Sequence, residues 1–213
     1  MMMEAGVWKA KVKKKVEPHY ARPRRMHQGE LVQIDGSEHA WLEDRGPKAT
    51  LLVFVDDATS QILEAEFVPE ESFFSYGNLC QRYFREHGLP QAFYSDRFSV
   101  FRVNRRDNLR YEPVTQFQRA VSALGIELIC ANSPQAKGRV ERANQTLQDR
   151  LIKEMRLLGI NNYEQANAFL PQFIRDYNRK FAVSPASSLD FHQPLDETHD
   201  LPFLFSIHDF RKV

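Results

Sequence analysis

Cysteine is scarce in this chain of 213 residues: there are two, Cys80 and Cys130, each in an apolar setting and neither with a partner at zinc-ligand spacing. That excludes a disulfide-built scaffold and a cysteine-built metal site, and it fits two buried thiols in a reducing cytosol. Net charge is scarce as well, with 29 lysines and arginines against 28 acids, so charge must be read from its placement. No apolar run is long enough to span a bilayer, and the N-terminus lacks the apolar core of a signal peptide. No internal repeat is present. The expected molecule is soluble and cytoplasmic, with no membrane partner, and long enough for one good-sized domain with extensions.

What is there is unevenly placed. Residues 1–28 form a basic arm that carries Lys9, Lys11, Lys13, Lys14, Lys15, Arg22, Arg24 and Arg25 against Glu4 and Glu17, with Pro18 and Pro23. Such an arm is either a solvated linker or a contact for nucleic acid. Residues 97–113 are again rich in arginine, including Arg105 and Arg106, and lack periodicity, which predicts a loop.

The remaining pattern predicts five strands and four helices. Leu31–Asp35 reads as a strand ending on its acid, and Thr50–Asp56, apolar almost throughout, as a central strand. Asp57–Ser60 is a turn into a third strand, Ile62–Val68, which closes an antiparallel meander. Helical spacing runs from Phe73 to a stop at His87-Gly88. Ala92–Asp96 follows as a strand, then a helix capped by Thr115, then the strand Ile126–Cys130. From Lys137 a helix carries an apolar stripe of Val140, Ala143, Leu147, Leu151 and Met155, with Glu141, Asn144 and Gln148 on the neighbouring stripe. Tyr163–Phe181 is a last helix, with Pro171 as a candidate kink. Residues 183–213 read as an irregular, truncated extension whose apolar end has no obvious partner. The order implies an α/β fold, a mixed five-stranded sheet with helices on both faces.

Three carboxylates stand out in this frame. Asp35 and Asp96 each end a short apolar run, and Glu141 lies among Lys137, Arg139 and Arg142. On the expected sheet Asp35 sits on a central strand, Asp96 at the end of the adjacent one, and Glu141 on a helix crossing both. Magnesium prefers carboxylate oxygens and keeps waters for itself, so few protein ligands suffice. Two such ions roughly 3.5–4 Å apart serve in-line displacement at phosphorus. Taken singly, an aspartate at a strand end is more often a turn or cap residue. Asp56 and Asp57 read as turn formers, and Trp41 as packing. No organic cofactor is expected.

The segments Gln33-Ile-Asp-Gly-Ser37, Val55-Asp-Asp-Ala-Thr-Ser60, Tyr94-Ser-Asp-Arg97 and Asn132-Ser-Pro-Gln-Ala-Lys-Gly-Arg-Val-Glu-Arg-Ala-Asn-Gln-Thr-Leu147 together resemble the integrase catalytic core of DDE transposases. The likeness is to bacterial insertion-sequence transposases of the group labelled ISNCY. It implies a ribonuclease H-like fold over a core of residues 29–182. It also implies Asp35, Asp96 and Glu141 as catalytic and metal-binding residues, with Mg²⁺ or Mn²⁺, two ions, as cofactor. The implied activity is DNA cleavage followed by strand transfer, on element ends and target DNA, by a homo-oligomer at the bacterial nucleoid. By the same resemblance Lys137, Arg139, Arg142 and Asn144 are DNA-holding positions. Arg105, Arg106, Lys13, Lys14 and Lys15 are further candidates for that role. Transposases of this kind carry a helix-turn-helix region before the core and a small domain after it, and neither is recognisable here. A second reading is therefore a non-catalytic remnant that binds DNA or a full-length subunit. A third, a ribonuclease H-like nuclease, is disfavoured by the Lys137–Arg142 block.

Overall fold

Apolar runs that alternate too little to have a wet face make the sheet, and the computed structural model shows how they stack; it describes residues 23–96, 98–101, 114–130 and 138–209. β1 (Val32–His39), β2 (Ala49–Asp56) and β3 (Ile62–Val68) form the antiparallel meander. β4 (Ala92–Ser95) and β5 (Glu127–Cys130) join it in parallel, giving the order β3-β2-β1-β4-β5. All eight residues of β2 are buried, as its near-continuous apolar sequence requires of a strand covered on both faces. β1 is longer than its apolar run predicts: it continues past Asp35 through Gly36, Ser37 and Glu38 to His39, because β2 keeps offering partners as far as Ala49. Asp35 is thus a mid-strand residue, not a strand end.

Helices cover both faces, as a sheet buried on both sides demands. On one face α1 (Phe73–His87) and α2 (Gln116–Ala123) pack Tyr76, Leu79, Tyr83, Phe117 and Val121 against Val32, Ile34, Leu52 and Phe54. On the other, α3 (Gly138–Leu157) and α4 (Tyr163–Phe181) pack Val140, Leu147, Leu151, Leu170 and Phe173 against Leu51, Val53, Val55 and Phe67. Trp41 is fully buried in this second core. The helix starts obey capping chemistry. Ser72 and Ser75 form a reciprocal capping box, and Thr115 and Asn162 each accept from the third residue of their helix. Gly88, Gly125 and Gly159, at the helix stops, hold φ of +88°, +75° and +67°, where a side chain would be strained.

The outer edge of β3 is closed by two asparagines of α4. Asn167 accepts from Phe67 N–H (2.7 Å) and donates to its carbonyl (3.0 Å). Asn178 does the same to Ile62, at 2.8 Å in both directions. Each side-chain amide imitates a neighbouring strand. The spacing suits this: eleven helical residues rise about 16.5 Å, and five strand residues about the same. An edge capped in this way is protected from pairing with another chain.

The chain after α4 is little regular, yet it is fastened. Val183 N–H donates to Thr59 O, Ser187 N–H to Met26 O, and Phe191 N–H to Gln28 O, while Leu89 and Gln193 exchange two backbone hydrogen bonds of 2.8 Å. The ring of Phe191 stacks on His27 with centroids 3.9 Å apart. The short helix α5 (Leu201–Leu204) and the next residue then bury Leu201 and Phe205 in the first core. The apolar end expected to lack a partner therefore has one, because α1 and α2 leave a gap between them for Phe205 against Phe84 and Phe117.

Candidate active site

The site is built where β1 and β4 part. Their parallel register pairs Val32 with Phe93 and Gln33 with Tyr94. Counting two residues further on each strand brings Asp35 and Asp96 to the same level on the same face. β4 has ended by then, so on that side Asp35 stands beside an opening in the sheet, while β2 pairs with it on the other. Asp35 is half-buried and Asp96 exposed. Asp96 Oδ1 accepts from Phe98 N–H at 2.8 Å, which turns the chain as it leaves the strand.

The sequence of α3 explains how this helix is laid along β1 beside the opening. Gln33, Asp35 and Ser37 alternate along β1 and face α3. Val140, Asn144 and Gln148 recur every four residues along α3 and face β1. Val140 N–H donates to Gln33 Oε1 (3.1 Å), Asn144 Nδ2 to Asp35 Oδ2 (2.8 Å) and Gln148 Nε2 to Ser37 Oγ (3.1 Å). Glu141, half-buried, falls between the first two rungs. Its position in the first helical turn also suits a carboxylate electrostatically.

A fourth carboxylate borders the site, and sequence reasoning missed it. Glu71 lies over Gly36, so closely that a Cβ there would sit 2.2 Å from its carboxyl carbon. The fully buried Tyr76 hydroxyl donates to Glu71 Oε2 at 3.1 Å. Burial holds the Tyr76 phenol well above its ordinary range, and the charges of Glu71, Asp35 and Asp96 push the same way. The Tyr76 phenol thus lies within electrostatic reach of Glu71, Asp35 and Asp96.

The expected DNA-holding residues are placed differently from one another. Arg142 is exposed on α3. Arg139 is turned inward, with Nε 3.2 Å from Oδ1 of the fully buried Asp57. Asn144 is buried and bonded to Asp35, while its own Oδ1 is buried with no partner among the described residues. Lys137, Arg105, Arg106, Lys13, Lys14 and Lys15 lie outside the described residues. Asp56 forms the turn it was expected to form: it accepts from Thr59 N–H (2.8 Å), Thr59 Oγ1 (2.7 Å) and Gly29 N–H (3.0 Å). Burial nonetheless raises its pKa. Asp57, read from sequence as another turn former, does more, because it joins the turn to β1 and α3 through Gln33 and Arg139.

Among the described residues no three histidine, cysteine or acidic side chains close into a metal-binding cluster. The donor set itself is all carboxylate, which suits a hard cation such as Mg²⁺ and not a thiolate- or imidazole-seeking metal. No helix among the described residues is long and apolar enough to cross a membrane.

Comparison with known proteins supplies relatives for this architecture. Residues 123–190 match the integrase core domain family. The chain is 53% identical over 199 residues to y4bF of Sinorhizobium fredii, a transposase candidate, covering 93% of this chain and 43% of that protein. It is 41% identical over 171 residues to the transposase for insertion sequence IS1202 of Streptococcus pneumoniae, covering 79% and 36%. The chain therefore spans less than half the length of these relatives. Among solved structures, the catalytic core domain of HTLV-2 integrase in complex with magnesium superposes with a TM-score of 0.56 at 16% identity, over 75% of this chain and 93% of that one. A chain of the simian T-cell lymphotropic virus intasome bound to PP2A regulatory subunit B56 gamma gives 0.56 at 16% identity, over 90% and 59%.

Proposed function

This chain belongs to the integrase-core transposases of insertion sequences, and from that premise we propose that it is a catalytic core for DNA strand cleavage and strand transfer. Asp35, Asp96 and Glu141 would hold Mg²⁺ or Mn²⁺, two ions in all. Bound there, the ions supply an activated nucleophile and charge stabilisation for in-line displacement at phosphorus. The observation that carries the reading is the opening after Gln33 and Tyr94, where Asp35 and Asp96 come level and α3 is fastened to β1 at Gln33 and Asp35.

Each residue then has a physical task. Asp35 is held at Oδ2 by Asn144, which fixes its carboxylate beside the opening. Asp96, at the exposed end of β4, approaches from the neighbouring strand. Glu141 would supply the third carboxylate from the first turn of α3. Arg142, on the exposed side of that helix, offers a cation for the phosphate backbone, as do Lys137, Arg105, Arg106 and the lysines 13–15 of the arm. Water as nucleophile frees a 3′-hydroxyl at an element end; that hydroxyl then attacks target DNA, with the chain acting as a homo-oligomer.

The test is nicking and strand reversal on a preassembled branched DNA with Mg²⁺ or Mn²⁺. The wild-type chain should act on it and Glu141→Gln should not. Activity that survives Glu141→Gln would remove Glu141 from the catalytic set.

A further inference from the structure

Asp57 has no place in the three-carboxylate site, yet it is fully buried and contacted from three directions. Gln33 Nε2 donates to its Oδ1 at 2.7 Å, and Arg139 Nε lies 3.2 Å from the same oxygen. Its other oxygen accepts from the backbone N–H of Arg25 at 2.8 Å. Gln33 in turn accepts from Val140 N–H, next to Glu141. The Arg24 guanidinium meets the carbonyl oxygens of Asp57 and Ala58 and the hydroxyl of Ser60. One carboxylate therefore touches the chain entering the core, the central strand and the start of α3.

We propose that Asp57 is a positioning residue that couples the entry of the N-terminal arm to the first turn of α3, and so to the placement of Glu141. The inference rests on the reading of Glu141 as a catalytic residue, but its physical core does not. A helix start has N–H groups with no partner inside the helix. Val140 N–H is one of them, and Gln33 satisfies it. Gln33 can present its carbonyl oxygen to Val140 only while its NH₂ is drawn the other way, and the carboxylate of Asp57 does the drawing. Arg139 adds a cation to the same carboxylate from the α3 side. Buried ion pairs are costly to break from one side, since the other charge is left without compensation. Whatever reorients Arg24 and Arg25, such as DNA held by the arm, thereby bears on α3 through one residue.

The deciding measurement is amide hydrogen exchange across Gly138–Ala143 in the full chain. Asp57→Asn should accelerate exchange at Val140 about tenfold, the effect of losing one hydrogen bond, with exchange in α4 unchanged. Arg25→Pro removes the arm's donor to Asp57 together with the exposed Arg25–Glu30 ion pair, and so keeps the test valid should Asp57→Asn fail to fold. It should accelerate Val140 in the same direction. Unchanged Val140 exchange in Arg25→Pro overturns the coupling, and so does acceleration spread evenly over α3 and α4. In the branched-DNA assay, Asp57→Asn should lower kcat by about 10²-fold, the scale of a small misplacement of a reacting group, with KM for DNA little moved. A raised KM at unchanged kcat would make Asp57 a DNA-binding support instead and overturn the proposal. A wild-type chain inert toward DNA would defeat the proposed function and leave the exchange result standing on its own.

Discussion

Asn144→Ala tests the rung of the α3–β1 fastening that touches Asp35. The amide donates to Asp35 Oδ2 at 2.8 Å from a side chain that is 7% exposed. A hydrogen bond to a charged group contributes about 1.5–3 kcal/mol. Asp35 is only half-buried, so water can take the place of the lost amide, which puts the expected cost near the lower end. For a protein of this size that is a fall in Tm of about 3–6 °C. Asn144→Asp should be worse, since it sets a carboxylate against a carboxylate. Two like charges about 4 Å apart at an effective dielectric near 20 repel by roughly 4 kcal/mol. That penalty should shrink as pH falls and the pair shares a proton, and shrink again when Mg²⁺ is added at neutral pH. Urea denaturation of both variants, at about pH 5 and about pH 8, with and without Mg²⁺, measures all of this. If Asn144→Ala costs less than about 0.5 kcal/mol and Asn144→Asp is no less stable, the rung is not formed and the account of Asp35 fails.

Other expectations follow from separate parts of the molecule. Asn178→Ala should cost about 1–3 kcal/mol, because it exposes the N–H and C=O of Ile62 on a half-covered edge; combined with Asn167→Ala it should raise light scattering on storage, and a double variant as monodisperse as wild type would deny the edge its protective role. Phe205→Ala should cost about 3–5 kcal/mol, read by denaturant midpoint, if the C-terminal segment is truly part of the first core. Burial raises the Asp56 pKa against the pull of its hydrogen bonds, so its charged form is disfavoured in the folded state. Its contribution is therefore full below the unfolded pKa and is lost as pH rises through the higher folded value. Relative to Asp56→Asn, the wild type should accordingly lose stability as pH rises from acid to neutral, and a gap that widened instead would reverse the assignment.

Much of the fold was legible because it is local. The apolar run Thr50–Asp56 read as a central strand, Thr115 as a cap, and Gly88 and Gly159 as stops, since each depends on neighbours in sequence. The aspartates and Glu141 were legible as candidates for the same reason. The extension of β1 to His39 was not, because a strand's length is set by its partner, here β2. Nor were the asparagine caps on β3, which pair residues about a hundred positions apart. Arg139 and Asn144 illustrate the limit most sharply. A basic or amide residue near a candidate catalytic carboxylate reads as a hand for DNA, while burial and a partner on another element decide which way it faces. Gln33 did carry a signal. It is a polar residue at a core position, two before Asp35 and four before Ser37, and such a stripe on a strand covered on both faces needs something polar to meet it.

The three rungs between α3 and β1 work as a vernier. Four residues of helix advance about 6.0 Å and two of strand about 6.6 Å, so the scales agree at one mark and drift apart by about half an ångström per rung. Sliding α3 by a single residue would rotate it by about 100° and break every rung at once. Only one setting is therefore readable, and in it Glu141 falls between the first two rungs, those of Gln33 and Asp35.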